Sequence, residues 1–241
     1  MNDNTASARV RESVDHPILD GDGHFVEIWP LAHEEIVSYV EEEGGAALRE
    51  RFLAGHAQPF DTTSSLRMIA GDRDRWQSMP SWWGWPTENT KDRATSYLPE
   101  MLHSRLDEFG IDVTVLYASM SLSFIDLEDE ELAPVVCRAL NRMHARLFEP
   151  YRDRIVVGAL IPMNTPDGAI ETLEHAVGLG LKTGAISGYV RRPIPALERA
   201  HGQLDPPVVR YDNYGMDSSF DYDPFWARCC ELRFSPISHS S

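Results

Sequence analysis

The feature that most constrains the fold of this chain is the alternation of short apolar runs with helical patterns. Five apolar runs stand out, at residues 16–22, 112–119, 155–161, 182–187 and 234–239. Most lack strict alternation, which is typical of parallel strands covered on both faces. Repeated strand–helix units imply right-handed crossovers and a parallel sheet. The pattern therefore predicts an α/β fold, either a barrel or a doubly wound sheet.

Helical patterns lie between these runs. Residues 99–109 and 223–232 each fit a helix, and Thr165 before Pro166 is typical of a helix start. Residues 128–151 carry a longer pattern. Its apolar residues recur at helical spacing and predict one buried stripe, which comprises Leu132, Val136, Ala139, Leu140, Met143 and Leu147.

Two stretches are longer than the connections of a simple α/β unit. Residues 23–111 separate the first two runs, far more than a βα loop needs, and predict a long insertion after strand 1. Residues 31–43 within it fit a helix. The insertion also holds a cluster of tryptophans, Trp76, Trp82, Trp83 and Trp85. The second stretch, residues 191–222, is rich in Pro, Asp and Tyr, and such long loops often carry function.

Charge and hydropathy restrict the classes of partner. The formal net charge is -16, from 38 acidic and 22 basic residues. Nucleic-acid binding depends on clustered Lys and Arg, so we expect no nucleic-acid partner. No run approaches the roughly 18 apolar residues of a membrane helix, so we expect no membrane association.

The N-terminal residues and the cysteines predict where the protein acts. Residues 1–15 are polar and lack the apolar core of a signal peptide, so we expect a flexible tail and a cytoplasmic protein. Residues 16–241 are then predicted to form one domain. The three cysteines, Cys137, Cys229 and Cys230, form no disulfide framework and fit a reducing compartment.

The first run ends in the most informative motif, Asp20-Gly-Asp22-Gly-His24. Residues two apart on a strand point the same way, so Asp22 and His24 can face one point. A carboxylate and an imidazole at the carboxyl end of a barrel strand form half of a site for a divalent metal. The alternative is a turn, because Asp-Gly pairs are common turn formers.

A further histidine, His239, ends the last run. At the carboxyl end of another strand of the sheet it could join the same metal site. This interpretation is supported by the position of His239 in the order of the strands. By contrast, His103, His144 and His175 lie within helical patterns, where packing or surface roles are expected.

At these residues the sequence resembles a known family. DGDGHFVE, which begins at Asp20, resembles the opening motif of the amidohydrolase-related group that includes aminocarboxymuconate-semialdehyde decarboxylase and the γ-resorcylate-type decarboxylases. Four further segments resemble bacterial members of that group: WWGWPTENTKDRATSYLP, RLDEFGIDVTVLY, RIVVGALIPMNTP and YDPFWARCCELRFSPISHS. The resemblance extends over residues 16–241 in the family's order. It implies a (β/α)8 barrel and so favours the barrel over the doubly wound sheet.

The resemblance also implies a set of metal ligands. The family has a His-x-His pair after the first strand, a His after a later strand, and then a further His and an Asp. Asp22 and His24 match the pair, with Asp in place of the first His, and His239 matches the later ligand. The expected catalytic His and Asp would lie beyond residue 241. The resemblance implies one divalent metal ion, Zn2+ or Mn2+, and a carboxylate ligand shifts the preference toward Mn2+.

The number of strands predicts that the chain is incomplete. A closed barrel of this type needs eight strands, and the sequence shows about five. We therefore expect an incomplete (β/α)8 TIM-type barrel that contains about the first five strands and lacks its C-terminal part. The alternative is a smaller open α/β sheet, completed by a partner chain.

The resemblance implies a metal-dependent enzyme with a small-molecule substrate. Decarboxylation of a small carboxylated aromatic or related acid is favoured over hydrolysis of an amide, ester or lactone bond. Both reactions use the same ligands, so the visible residues do not separate them. The non-enzymatic alternative is an inactive or assembly subunit. The resemblance and the long loops also predict self-association into a homo-oligomer.

Candidate substrate contacts lie in the insertion. Trp83 and Trp85 could cover an aromatic substrate, and Arg93 could pair with its carboxylate. The alternative is that these tryptophans form the core of the loop, which we favour for Trp76. Arg191 and Arg192 could contact an anion, although a solvated position is the more common one for such residues.

Overall fold

The computed structural model describes residues 5–56, 89–202 and 208–239, and these residues form a mixed α/β fold. The α-helices are α1 (Ala6–Glu12), α2 (Trp29–His56), α3 (Thr90–Tyr97), α4 (Pro99–Phe109), α5 (Leu132–Phe148), α6 (Pro166–Gly178), α7 (Pro195–His201) and α8 (Asp223–Leu232). The strands are β1 (Leu19–Phe25), β2 (Val113–Ala118), β3 (Ile155–Val157), β4 (Ala159–Leu160), β5 (Thr183–Ile186), β6 (Val190–Pro193), β7 (Val209–Asp212) and β8 (Ser235–Ser238). Short 3-10 helices occupy Ser121–Asp126 and Glu149–Tyr151.

Each of the five predicted runs overlaps a strand, and the third is divided into β3 and β4. The strands form a sheet of order β1-β2-β3, a sheet of order β4-β5-β8 and an antiparallel ribbon of β6 and β7. The pairs β1–β2, β4–β5 and β5–β8 are parallel, as the apolar runs predict. The ribbon was not predicted, because its strands are short and flanked by Pro and Asp. Closure of the strands into a barrel stays a prediction.

The chain divides into two compact units, residues 1–121 with 147–156 and residues 122–146 with 157–241. In the first unit, apolar side chains of β1, β2, α2 and α4 form the core; they include Phe25, Ile36, Val40, Phe52, Leu106 and Leu116. The predicted helix at residues 31–43 is present in α2. This helix continues past a kink at Gly45, where φ is 75°.

Ion pairs connect the helices of the first unit. The buried guanidinium of Arg105 on α4 donates to both oxygens of Glu108, at 2.7 Å each, and to Asp92 on α3 at 2.9 Å. Lys91 on α3 also pairs with Glu108, at 3.2 Å. These contacts hold α3 against α4.

Helix α1 lies within the segment for which the sequence predicts a flexible tail. The side chain of Thr5 caps its first turn by accepting from Ala8 N, at 3.1 Å. Arg11 pairs with Asp112 at 2.7 Å, just before β2. A cap and an ion pair to a distant residue thus accompany this helix, and the polar composition alone did not indicate either contact.

In the second unit, α5 buries most of the predicted stripe, including Leu132, Val136 and Leu140. Leu147 is an exception, because 41% of it is exposed at the end of the helix. Buried Asn141 on the same helix accepts from Leu160 N at 2.7 Å and donates to Leu160 O at 3.0 Å. These two bonds fix α5 against β4. Thr165 caps α6 as predicted, by accepting from Gly168 N.

Within the described residues, no helix combines the length and the apolar character needed to cross a membrane.

Candidate metal-binding site

The motif at the end of β1 is shaped by a β-bulge. Asp20 pairs with Thr114, but the next pair is Gly23 with Leu116, so β1 contains one extra residue. The Asp20 carboxylate accepts from Asp22 N at 3.1 Å and from the Thr114 hydroxyl at 2.9 Å. Bulges of this kind redirect side chains near functional sites. Asp20 therefore stabilises the bulge that presents Asp22, a role that the sequence analysis missed.

Asp22 and His24 lie side by side after this bulge. Asp22 Oδ1 is 3.8 Å from His24 Nε2. The Asp22 side chain is 76% exposed, whereas that of His24 is 15% exposed. The structure therefore brings together the two side chains that the motif predicts to face one point, with a carboxylate and one imidazole nitrogen adjacent.

The other imidazole nitrogen of His24 contacts a residue in the turn that follows β2. Ser119 Oγ lies 3.3 Å from His24 Nδ1. Metal-ligating histidines generally use their second nitrogen for such a contact, which orients the ring. The arrangement leaves Nε2 directed toward Asp22. Ser119 was not identified from the sequence, although its position after the second strand is a signal that could have found it.

Gly23, between the two side chains, leaves no room for a larger residue. A Cβ at this position would lie 2.5 Å from Thr114 Oγ1 and 2.7 Å from a methyl group of Leu116. Glycine therefore lets the side chains of Thr114 and Leu116 on β2 pack directly against the backbone of β1. The site offers a hard carboxylate oxygen and an imidazole nitrogen, and the other nitrogen of the imidazole already has a partner. This combination fits a divalent ion such as Mn2+ or Zn2+.

A buried glutamate, Glu27, lies just after β1. Its carboxylate accepts from Met120 N at 2.9 Å, from Ser121 N at 3.0 Å and from the Ser121 hydroxyl. Burial raises the pKa of Glu27, and the hydrogen bonds from Ser121 and Met120 act in the opposite direction. The sequence analysis did not identify Glu27 as a functional candidate.

His239 follows β8 in the second unit. Its backbone N–H donates to Ile186 O at 3.0 Å, which places it next to the carboxyl end of β5. Its side chain is half-buried. The strand-end position matches the sequence prediction, and its role as a ligand stays a prediction.

The predicted substrate contacts are partly described. Arg93 is a half-buried residue of α3, and Ser96 O on the same helix accepts from Val26 N at 2.7 Å. This bond fixes α3 beside the carboxyl end of β1. Trp83 and Trp85 lie outside the described residues, as do Trp76 and Trp82.

Arg191 and Arg192 differ sharply in their surroundings. Arg191 is exposed and lies 3.6 Å from Glu128. Arg192 is only 8% exposed; it donates to Asp212 at 3.2 Å, and its guanidinium lies 4.7 Å from the centre of the Phe220 ring. The expectation of a solvated position was therefore wrong for Arg192, because antiparallel pairing of β6 with β7 turns alternate residues inward.

The same guanidinium connects several loops of the second unit. Arg192 Nη2 donates to Asn164 O at 2.7 Å and to the Tyr222 hydroxyl at 2.9 Å. Burial opposes ionisation of Asp212, but hydrogen bonds from Ser218, the Tyr214 backbone and Arg192 together hold its pKa below the usual range. This buried ion pair organises the connection between β5 and α8.

Comparisons with solved structures show the same fold at low identity. An amidohydrolase from Mycobacterium avium subsp. paratuberculosis is similar, with 15% identity and a TM-score of 0.56 over 95% of this chain and 59% of that one. A 5-carboxyvanillate decarboxylase from Novosphingobium aromaticivorans, complexed with manganese and 4-hydroxy-3-methoxy-5-nitrobenzoic acid, has 15% identity and a TM-score of 0.52 over 94% of this chain and 51% of that one. A dihydroxybenzoic acid decarboxylase from a Polaromonas species, with bound manganese and 2-nitroresorcinol, has 17% identity and a TM-score of 0.50 over 94% and 50%.

The chain thus spans between 50% and 59% of the length of these proteins. No curated protein matches the sequence. The family model described as amidohydrolase matches residues 20–240, which begin at Asp20 in the β1 motif and cover most of each unit. The chain therefore belongs to the amidohydrolase family.

Proposed function

We propose that this chain carries metal ligands of a metal-dependent decarboxylase that acts on a small carboxylated aromatic or related acid. The observation that carries the proposal is the Asp22–His24 pair, with Oδ1 and Nε2 separated by 3.8 Å at the end of β1. Membership of the amidohydrolase family supports it.

Asp22, His24 and His239 are the proposed ligands of one divalent ion. Asp22 contributes a hard oxygen, and the two histidines contribute imidazole nitrogens, a mixture that suits Mn2+ or Zn2+. The half-buried His24 offers Nε2, because Nδ1 already faces Ser119. When bound, such an ion supplies a Lewis acid for a substrate oxygen.

The remaining residues of the site would bind and orient the substrate. The guanidinium of Arg93, on the helix beside β1, suits a substrate carboxylate, because Arg forms paired charge-assisted hydrogen bonds with carboxylates. Trp83 and Trp85 are proposed to cover the aromatic ring. Aromatic acids are favoured because two similar solved structures are a 5-carboxyvanillate decarboxylase and a dihydroxybenzoic acid decarboxylase.

Hydrolysis of an amide, ester or lactone bond is the second candidate, and the name of the matching family favours it. The two reactions differ in their products. A decarboxylase releases CO2 from an aromatic acid, whereas a hydrolase opens a lactone or cleaves an ester without CO2 release. Assays of CO2 release and of lactone opening on the same metal-loaded protein therefore separate them.

Metal content is the primary test. We expect near-stoichiometric manganese or zinc in purified protein by elemental mass spectrometry after dialysis against Mn2+ or Zn2+. Asp22→Asn with His24→Ala should abolish this binding, and His239→Ala alone should weaken it strongly. A wild-type chain that retains neither ion would contradict the proposal and would favour an inactive or assembly subunit.

Arg93 can be tested once a substrate is found. Loss of a charge-assisted hydrogen bond costs about 1.5–3 kcal/mol, so Arg93→Ala should reduce kcat/KM roughly 10–100-fold. The metal content should not change. Arg191→Ala, at an exposed position of the second unit, provides a matched loss of one positive charge. Equal effects of the two substitutions on kcat/KM would argue against the role of Arg93.

A further inference from the structure

We propose that Glu27 is a positioning residue for the imidazole of His24, which it holds through the turn formed by Ser119, Met120 and Ser121. The inference rests on the metal-dependent function proposed above. Glu27 is buried and is not one of the proposed metal ligands, and the inference gives its carboxylate a role at the site.

The first step is the contact between Glu27 and the turn. Glu27 is 3% exposed, and its carboxylate accepts hydrogen bonds from the backbone N–H groups of Met120 and Ser121 and from the Ser121 hydroxyl. Both donor residues are themselves buried. Three donors that converge on one buried carboxylate fix the backbone of the turn, because leaving any of them unsatisfied would be costly.

The second step is the contact between the turn and His24. Ser119 N donates to Phe25 O at 2.9 Å, one residue after His24. Its hydroxyl lies 3.3 Å from His24 Nδ1. The backbone around Ser119 is therefore held on one side by Phe25 and on the other by Glu27. This double attachment sets the position of the hydroxyl opposite the imidazole.

The consequence is a choice of tautomer. Nε2, the nitrogen near Asp22, has a free lone pair only when the ring proton is on Nδ1. In that tautomer Nδ1–H donates to Ser119 Oγ. A hydroxyl can accept from Nδ1–H or donate to Nδ1, and the proposal assigns Ser119 Oγ the accepting role that metal binding at Nε2 requires. Glu27 holds that hydroxyl in place without touching the ion.

The test uses Glu27→Gln in the full chain, which keeps the shape of the side chain but turns an amide NH2 toward backbone N–H donors. We expect 15N NMR of the metal-free protein to show His24 mainly as the Nδ1–H tautomer in the wild type and as a mixture in the variant. Competition with a chelator should show Mn2+ binding weakened about 10–100-fold, as is typical for lost outer contacts.

Ser119→Ala should reproduce both effects. The double variant with Glu27→Gln should show little further loss, because the two residues act in series. Ser121→Ala removes only the hydroxyl donor to Glu27 and should give a smaller change in the same direction. This variant tests the inference if Glu27→Gln does not fold. Asn141→Ala, which removes two buried hydrogen bonds in the second unit, controls for lost stability and should leave tautomer and affinity unchanged.

An unchanged tautomer ratio in Glu27→Gln, or the same changes in Asn141→Ala, would overturn the inference. A wild-type chain that binds no metal would instead contradict the proposed function. In that case the tautomer ratio in the metal-free protein still decides whether Glu27 positions His24.

Discussion

At the scale of single residues, the close packing at Gly23 has a measurable consequence. A Cβ on Gly23 would lie 2.5 Å from Thr114 Oγ1 and 2.8 Å from Asp20 Oδ2, so Gly23→Ala must displace these neighbouring side chains. We expect a loss of about 1–3 kcal/mol in the free energy of unfolding, measured by urea denaturation.

Gly21→Ala is the matched control for this substitution. A Cβ on Gly21 would meet nothing within 4 Å. Its free energy of unfolding should therefore stay within about 0.5 kcal/mol of the wild type. Equal losses in the two variants would show that the cost comes from the backbone freedom of glycine and not from the contact with β2.

A second prediction for single residues concerns Arg191 and Arg192, which are adjacent in sequence. Arg192→Met removes a buried cation and leaves the buried carboxylate of Asp212 without it, which should cost about 3–5 kcal/mol in the free energy of unfolding. Arg191→Met removes an exposed charge and should change the same quantity by less than about 1 kcal/mol. Thermal and urea unfolding of both variants measure the difference, and similar losses would contradict the arrangement of the ribbon.

At the scale of elements, the ion pairs of Glu108 on α4, with Arg105 of the same helix and with Lys91 of α3, should make stability depend on pH. The guanidinium of Arg105 holds the pKa of Glu108 at about 2, below its ordinary value of 4.5. A carboxylate with a depressed folded-state pKa stabilises the protein above the unfolded value, and this contribution is lost as pH falls from about 4.5 toward 2.

The measurement is the thermal unfolding midpoint of the wild type and Glu108→Gln between pH 7 and pH 2.5. We expect the variant to unfold at a lower temperature at pH 7, with a difference that shrinks below pH 4.5. Glu50→Gln, at an exposed position of α2, controls for the loss of one acidic side chain. A difference between wild type and Glu108→Gln that is the same at every pH would contradict the role of the ion pair.

At the scale of the whole molecule, metal binding should raise stability, because an ion that binds only the folded chain shifts the folding equilibrium. With Mn2+ at about 100 times its dissociation constant, the expected gain is roughly 2.7 kcal/mol. Calorimetry with and without Mn2+ should show a higher unfolding temperature for the wild type. The Asp22→Asn, His24→Ala double variant should show no shift, and a shift of equal size would place the ion elsewhere.

The sequence by itself determined the five apolar runs that became strands and the main helices between them, because apolar periodicity records which faces are buried. The run at residues 155–161 predicted a strand, and residues 99–109 predicted a helix with the bounds of α4. It also predicted that Asp22 and His24 lie together, because neighbours two apart on a strand share a face even beside a bulge. The family resemblance at the same motif was confirmed by the match over residues 20–240.

The tertiary structure alone decided which residues support that motif. Ser119 and Glu27 reach their partners across 95 and 93 positions of sequence, and such contacts leave no local pattern. Arg191 and Arg192 are identical side chains in adjacent positions, yet pairing of β6 with β7 buries one and exposes the other. Local periodicity sets the direction of each side chain along its own element, whereas the partner it meets depends on how distant elements pack.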